Sequence, residues 1–199
     1  MQDAPDTVNI LAILGDDVTP AALQREAGMR AAADRDPDVE IVRSFSVLWD
    51  SKAAYDRVHT ALNLIEVDGI WAANDDIAIA AMRAVEDCGS PCQDIEIVGL
   101  NWSEAGLDAV ARGDLLSSHG GHFLAGGIAL AHITRGALDQ QQRELTLSLR
   151  AITDANIEAL PRTIREREWA QLNFNALAQQ MAQGTPDELV GEGVELTSN

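Results

Sequence analysis

The chain has 199 residues and a formal net charge of −18, from 14 Lys and Arg residues against 32 Asp and Glu residues. Because binding to a nucleic-acid backbone needs clustered basic side chains, this balance argues against a nucleic-acid-binding protein. A composition of 46% hydrophobic and 23% charged residues is typical of a globular domain, and no apolar run approaches the ~20 residues that cross a bilayer.

Short apolar runs alternate with longer segments of helical period over the first 115 residues, which predicts βα units around a parallel sheet. The predicted strands cover residues 9–14, 40–46, 69–73, 95–100 and 115–119, and the predicted helices cover 20–35, 51–66, 76–88 and 103–112. Thr19, Asp50-Ser51 and Asn74-Asp75 precede helices and offer side-chain oxygens that cap a first turn. The predicted fold class is α/β, with a doubly wound parallel sheet.

Paired glycines interrupt this alternation after His119. Gly120-Gly121 and Gly126-Gly127 flank residues 122–125, and paired glycines relax the backbone, so we predict a crossover or hinge here. A helix at about 124–135 and a strand at 144–150 are predicted next, followed by helical segments around 156–160 and 165–180. The end of the chain, with its glycines and a proline, is predicted to be a loose tail.

Cys88 and Cys92 are the two cysteines of the chain and lie four positions apart. A zinc site is disfavoured because no second Cys/His pair has ligand spacing, and the gap is one residue too long for a redox Cys-x-x-Cys motif. Two unlinked thiols are therefore our prediction, and a local disulfide is the alternative.

Polar and indole side chains follow four of the predicted strands, at the point where each strand ends. In chain order they are Asp16, Trp49, Asp50, Asn74, Asp75, Asn101 and Trp102. In an open parallel sheet the ligand crevice lies beyond the carboxyl ends of the strands. Asp and Asn can hydrogen-bond adjacent hydroxyls while an indole covers the apolar side of a ring, which predicts a polyhydroxylated ligand. The alternative is that Asp16, Asp50 and Asp75 only cap the following helices.

Motifs for catalysis are absent from the sequence, which has no Gly-x-Ser-x-Gly, phosphate-binding Gly-rich loop, Gly-x-Gly-x-x-Gly or His-Glu-x-x-His. His119 and His122 are three residues apart but lie around a Gly-Gly turn rather than on a helix, which disfavours a metal site. An enzyme would need Asp16, Asp75 or His122 as its base, with no nucleophile at motif spacing. We therefore predict a protein that is not an enzyme and that uses no cofactor and no metal.

Several segments resemble type 1 periplasmic binding proteins, the sugar-receptor family that also supplies effector domains of lactose-repressor-like regulators. The segments that carry the resemblance are Gly15-Asp16 with Arg25-Glu26-Ala27-Gly28-Met29, the stretch 68–78 with its Trp-Ala-Ala-Asn-Asp, the stretch 94–103, and Gly113-Asp114-Leu115 ahead of Gly120-Gly121-His122-Phe123. Their order and spacing hold from about residue 10 to residue 150.

The resemblance implies two lobes joined by three crossings, with the ligand clamped between the lobes. Residues 8–118 and 143–160 would form the second lobe, 119–142 a hinge crossing and a helix belonging to the first lobe, and 161–199 a C-terminal extension and loose tail. A first lobe of about 100 residues is expected ahead of Asn9, outside this chain. The chain thus resembles the second lobe with a partial return into the first.

The same resemblance implies roles for individual side chains. Asn74 and Asn101 would reach ligand hydroxyls, and Trp49 would stack on a sugar ring. The hinge would comprise His119, Gly120 and Gly121. The full predicted ligand-binding set is Asp16, Trp49, Asp50, Asn74, Asp75, Asn101, Trp102 and His122.

Two positions depart from the pattern of the family. Many relatives carry aspartate where this chain has Asn101. An arginine that often grips the ligand in relatives falls near Leu23, while Arg25 fits a more structural position. These departures leave the identity of the sugar open.

The function implied by the resemblance is that of a periplasmic sugar receptor for ABC transport, with a permease or a membrane sensor kinase as its partner. One alternative is the sensory input of a membrane histidine kinase or cyclase. The other is the effector domain of a lactose-repressor-like regulator, which would need a helix-turn-helix ahead of Asn9. Insertion of this chain into a membrane is not expected, and its first residues lack the basic start and apolar core of a signal peptide.

Overall fold

A six-stranded sheet organises the molecule in the computed structural model, which describes residues 7–139 and 149–182. The strands are β1 Val8–Leu14, β2 Val39–Ser46, β3 Gly69–Ala72, β4 Glu96–Leu100, β5 Ser117–Gly120 and β6 Arg150–Ile152. The helices are α1 Pro20–Ala33, α2 Ser51–Leu62, α3 Asp75–Cys88, α4 Glu104–Arg112, α5 Ala125–Asp139, α6 Arg162–Arg165 and α7 Phe174–Ala182. Short 3₁₀ turns occupy Ser90–Cys92, His122–Leu124, Ile157–Ala159 and Trp169–Gln171.

The strand order β2-β1-β3-β4-β5-β6 confirms the α/β class and the doubly wound sheet. The first five strands are parallel, and β6 pairs antiparallel with β5, with His119 opposite Ala151. From β1 the chain moves outward to β2 and then returns past β1 to β3, β4 and β5. Because such crossovers are right-handed, α1 covers one face of the sheet and α2, α3 and α4 cover the other.

Small side chains let the helices on the second face pack closely. Ala78, Ala81 and Ala84 of α3 are fully buried, and α3 contacts both α2 and α4. The strands below contribute Leu11, Ile13, Ile70 and Ile97 to the same core. These strands are apolar on both faces because helices cover a parallel sheet from both sides.

Helix capping follows the sequence in two of the three predicted places. Asp50 accepts a hydrogen bond from Ala53 N and Asn74 accepts one from Ile77 N, so each caps its helix. Thr19 stands at the cap position before Pro20 but makes no side-chain cap. Its hydroxyl donates instead to Asp16, because the preceding loop brings that carboxylate within 3.0 Å.

The C-terminal part of the described chain packs against α5. Phe174 lies against Gly127, Leu177 is buried, and α7 contacts α5. The helical segment predicted at 165–180 divides into α6, a 3₁₀ turn and α7. Strand β6 overlaps the predicted strand at 144–150 only at Arg150. Residues 144–148 of that prediction lie outside the described residues, as do residues 183–199 of the predicted tail.

Cys88 and Cys92 form a disulfide, so the prediction of two unlinked thiols was wrong. Helix α3 ends at Cys88, and Gly89 adopts a φ of 74°, from which the chain turns into the 3₁₀ turn Ser90–Cys92. This reversal brings the two Cα atoms to 5.9 Å, within the range that a disulfide spans. The turn geometry, which spacing alone did not specify, decided the pairing.

Candidate functional site

The loops that follow β1, β2, β3 and β4 meet at the carboxyl edge of the sheet. The strand order reverses between β1 and β3, and ligands of doubly wound sheets bind outside the strands at such a switch point. Asp16 and Trp49 lie on the β1–β2 side of this point, and Asn74 and Asn101 lie on the β3–β4 side. We refer to these four loops together as the carboxyl edge.

Asp16 fixes the loop after β1 and orients Trp49. Its carboxylate accepts hydrogen bonds from Val18 N at 2.9 Å, Thr19 N at 2.6 Å, the Thr19 hydroxyl at 3.0 Å and Trp49 Nε1 at 2.5 Å. The backbone donors Thr19 and Val18, followed by the Trp49 indole, lower the pKa of Asp16 from 3.8 to about 2. Gly15 lies directly under the indole, where any side chain would collide with the ring.

Arg25 joins the two sides of the carboxyl edge. From α1 its guanidinium donates to the Ala73 carbonyl at 2.6 Å and to Asn101 Oδ1 at 2.9 Å. It also lies 5.6 Å from the centroid of the Trp49 ring. Burial lowers the pKa of Arg25, and the charge of nearby Asp75 partly offsets this. Arg25, for which a more structural position is predicted, therefore contacts three of the four loops.

The signal that could have identified Arg25 is its place in the helix that follows β1, whose N-terminal turns border the carboxyl edge. Leu23, where relatives often have an arginine, is 46% exposed and adds apolar surface.

Asn74 and Asn101 each use the side-chain oxygen within the protein. Asn74 Oδ1 accepts from Ile77 N at 2.8 Å, and Asn101 Oδ1 accepts from Arg25. Asp50 similarly uses Oδ1 to cap α2 at 2.6 Å from Ala53 N, although its side chain is exposed. Capping and ligand contact are thus compatible for Asn74 and Asp50, because each retains other polar atoms.

Asp75 lies beneath the carboxyl edge rather than on it. It is 1% exposed and accepts hydrogen bonds from the Ser118 hydroxyl at 2.7 Å and from Ser103 N at 2.6 Å. Burial raises the pKa of Asp75, against the effect of these donors. The residue ties α3 to β5 and to the start of α4, and Asn74, not Asp75, caps α3.

Trp102 is enclosed by the protein. It is 1% exposed, and its Nε1 donates to the carbonyls of Ser118 at 2.9 Å and Arg150 at 3.1 Å. Gly120 packs directly against the ring. The indole therefore joins β5 and β6 and has no free face at the surface.

Strained backbone marks the same edge. Leu48, Trp49, Asn101 and Trp102 have φ angles of 52°, 61°, 120° and 52°, in a region that side-chain-bearing residues seldom occupy. Such strain concentrates at ligand-binding and catalytic positions. Two adjacent strained pairs, one after β2 and one after β4, therefore support a binding role for this edge.

Two of the predicted hinge residues, His119 and Gly120, are the last residues of β5, and Gly121 follows the strand. His119 is partly buried with Nε2 3.2 Å from the Ser117 hydroxyl, His122 is exposed, and Gly121 has a φ of 108°. Burial lowers the pKa of both histidines, and the charge of Arg25 lowers that of His122 further. Over residues 7–139 and 149–182, no group of three or more metal-ligating side chains is found.

A cavity of about 590 Å³ opens beside Arg25. Its polar lining comprises Gln24, Arg25, His119 and His122, and its apolar lining includes Trp71 and Leu100. It lies next to the carboxyl edge on the side of α1, so Arg25 and His122 border both regions.

Comparison with known proteins identifies the family. The sequence profile described as "Periplasmic binding protein domain" matches residues 1–141. The chain belongs to the periplasmic binding protein family. This family consists of substrate-binding proteins, which are not enzymes.

Relatives of this periplasmic binding protein domain have names that refer to sugars or polyols. The xylitol-binding protein of Mycolicibacterium smegmatis is 25% identical over 167 residues, which are 80% of this chain and 47% of the relative. The ribose import binding protein of Haemophilus influenzae is 28% identical over 124 residues, covering 59% of this chain and 39% of the relative.

A periplasmic sugar-binding protein from Pseudomonas fluorescens has a similar solved structure. The TM-score is 0.77 at 32% identity, over 92% of this chain and 57% of that one. The chain thus spans about half the length of the relatives it matches. Among the described helices of this periplasmic binding protein domain, none is long and apolar enough to cross a membrane.

Proposed function

We propose that this chain is the second lobe of a two-lobed receptor that binds a sugar or a similar polar small molecule for ABC transport. The observation that carries the proposal is the convergence of four strand-end loops at the switch point of the sheet, with an oriented indole and two asparagine amides. The family and the sugar- and polyol-binding names of relatives support it.

The proposed lobes follow the division that the family resemblance implies. Residues 8–118 and 143–160 form the second lobe, 119–142 the crossing with a helix of the first lobe, and 161–199 the C-terminal extension. In the intact receptor the first lobe covers the carboxyl edge. Rotation about His119, Gly120 and Gly121 closes the two lobes on the ligand.

In this proposal, Trp49 stacks on the ligand ring, while Asn74 and Asn101 hydrogen-bond to ligand oxygens. Asp50 and His122 are exposed and border the ligand. Asp16, Asp75 and Trp102 act indirectly, because their polar atoms are engaged with the protein. They hold the loops that present the contacting side chains.

Export to the periplasm is part of the proposal. A disulfide between Cys88 and Cys92 persists in oxidising compartments and is rare in the cytosol. Relatives that the family groups together are periplasmic proteins. Closure around the ligand would present a shape that a permease recognises. The neighbouring gene distinguishes this role from that of a sensor input: a permease gene indicates transport, and a kinase gene indicates sensing.

Calorimetric titration of the full-length gene product with pentoses, hexoses and polyols tests the proposal. We expect at least one of them to bind reversibly without turnover. Replacing Trp49 with Ala should weaken that binding by about 10-fold, or about 1.4 kcal/mol, because the stacking face is lost. Tyr55→Ala is the matched control, since Tyr55 lies on α2 with its hydroxyl bonded to Asp87. No binding by any of these compounds would contradict the receptor role.

A further inference from the structure

Arg25 carries a charge that no carboxylate of the described chain neutralises at ion-pair distance. Five other basic residues form ion pairs, and each involves exposed side chains: they are Arg30, Lys52, Arg112, Arg162 and Arg165. Arg25 is partly buried and, in a chain with 32 acidic residues, forms none of them. Asp75 is the acidic neighbour whose charge reaches Arg25, and both of its oxygens accept hydrogen bonds elsewhere.

Hydrogen-bond partners determine which way the two asparagine amides face. A guanidinium and a backbone N–H can only donate, so Asn101 must direct Oδ1 at Arg25, and Asn74 must direct Oδ1 at Ile77 N. Each Nδ2 is then the group that remains to donate. Neither Nδ2 has a partner among residues 7–139 and 149–182, and neither is enclosed.

Two acceptors at the carboxyl edge are already engaged within the protein. The Asp16 carboxylate accepts four hydrogen bonds, and the Ala73 carbonyl accepts from Arg25. A ligand hydroxyl that accepts from Asn101 would have to donate its own proton to another group. A carboxylate has no proton of its own that needs an acceptor. It accepts hydrogen bonds from several donors, and its negative charge neutralises the Arg25 guanidinium.

We propose that the ligand is a sugar acid, a polyhydroxylated carboxylate of the uronic or aldonic class, whose carboxylate meets Arg25 and Asn101. The inference rests on the proposed receptor function and specifies its substrate class. The carboxylate accepts from the guanidinium and from Asn101 Nδ2, and a further ligand oxygen accepts from Asn74 Nδ2. Trp49, with the guanidinium 5.6 Å from its ring centroid, covers the apolar side of the ligand.

Matched pairs of ligands that differ in the carboxylate test the inference on the full-length gene product. The pairs are D-glucose with D-glucuronate, D-galactose with D-galacturonate, and D-xylose with D-xylonate. In calorimetric titration, we expect the acid of at least one pair to bind 10-fold or more tightly than its neutral partner. Tighter binding of the neutral sugar in every pair that binds would overturn the inference and leave the receptor function standing. Absence of binding by all six compounds would overturn the inference, and it would overturn the receptor function as well only if the other pentoses, hexoses and polyols also fail to bind.

Two variants locate the carboxylate. Arg25→Gln removes the charge and should weaken acid binding by 10-fold or more. Asn101→Asp replaces the Nδ2 donor by an acceptor and places a carboxylate beside Arg25. It should therefore weaken acid binding similarly and leave the affinity for the neutral sugar unchanged. Asn63→Asp, the same change at the exposed end of α2, is the control and should leave affinity unchanged. Thermal melts verify folding. Unchanged acid affinity in a folded Asn101→Asp variant would contradict the placement of the carboxylate at Arg25 and Asn101.

Discussion

Trp49 is held at the carboxyl edge by one hydrogen bond from its indole Nε1 to Asp16, 33 residues earlier in the chain. The same carboxylate also accepts from two backbone amides and a hydroxyl, so it serves the loop and the indole together. Asp75 has a comparable role deeper in the protein, where it links α3, α4 and β5. At this scale, carboxylates position side chains and loops at the carboxyl edge.

Asp16 should titrate with a pKa of about 2, because four donors stabilise its charged form. Carboxyl ¹³C NMR over pH 1–6 measures it. Since the folded pKa lies below the ordinary value of 3.8, the stabilising contribution is present above pH 3.8 and is lost as the pH falls through about 2. Trp49→Phe removes one donor and should raise this pKa. A wild-type pKa near 3.8 would contradict the hydrogen-bonded geometry.

Replacing Asp75 with Ala should lower the free energy of unfolding by about 3 kcal/mol, because Ser103 N and the Ser118 hydroxyl lose a buried acceptor. Urea denaturation monitored by circular dichroism gives the value. Asp108→Ala on the exposed face of α4 is the control and should change stability by less than about 0.5 kcal/mol. Equal effects of the two substitutions would show that Asp75 has no special role.

Helix ends determine much of the geometry around the sheet. Asp50 and Asn74 cap α2 and α3 at the carboxyl edge, so the residues that begin these helices also border the proposed ligand site. At the opposite end of α3, Gly89 and the disulfide reverse the chain toward β4. Both ends of α3 are thus fixed, which holds Asn74 and Asp75 in place relative to the sheet.

Reduction of the Cys88–Cys92 disulfide should lower the free energy of unfolding by about 2 kcal/mol, the value expected for constraining a loop of about five residues in the unfolded chain. Urea denaturation with and without a phosphine reductant measures the difference. A Cys88→Ala/Cys92→Ala double variant should show no response to the reductant. Equal stability of the wild-type protein in both conditions would mean that the disulfide has no constraining effect.

At the scale of the whole molecule, the carboxyl edge lies beside the last strands of the sheet. Loops from four strands converge at the carboxyl edge, and β6 pairs with β5 at His119 and Gly120, two of the predicted hinge residues. Trp102 connects these strands through the Ser118 and Arg150 carbonyls.

Ligand binding to the native state should stabilise the full-length gene product by mass action. At a free ligand concentration 100 times Kd, the free energy of unfolding should rise by about 2.7 kcal/mol. Thermal-shift titrations against ligand concentration measure this effect. The Trp49→Ala variant should need correspondingly more ligand for the same shift. A melting temperature that does not depend on ligand concentration would argue against binding to the folded state.

Local patterns were sufficient for most of the fold. The alternation of apolar runs and helical segments depends on neighbouring residues, so the order of β1–β5 and α1–α4 follows from the sequence with end shifts of a few residues. Caps at Asp50 and Asn74 are equally local. Thr19 was an exception because a carboxylate in the preceding loop competed for its hydroxyl.

Side-chain partnerships at the carboxyl edge needed the tertiary structure. The sequence by itself determined the α/β class, the polar strand ends and the family resemblance, since these depend on periodicity and short motifs. Only the folded chain brought Arg25 to Asn101, 76 residues away, and Asp75 to Ser118, 43 residues away. It also buried Trp102 and joined Cys88 to Cys92. Such contacts depend on strand order, register and turn geometry, which local patterns do not encode.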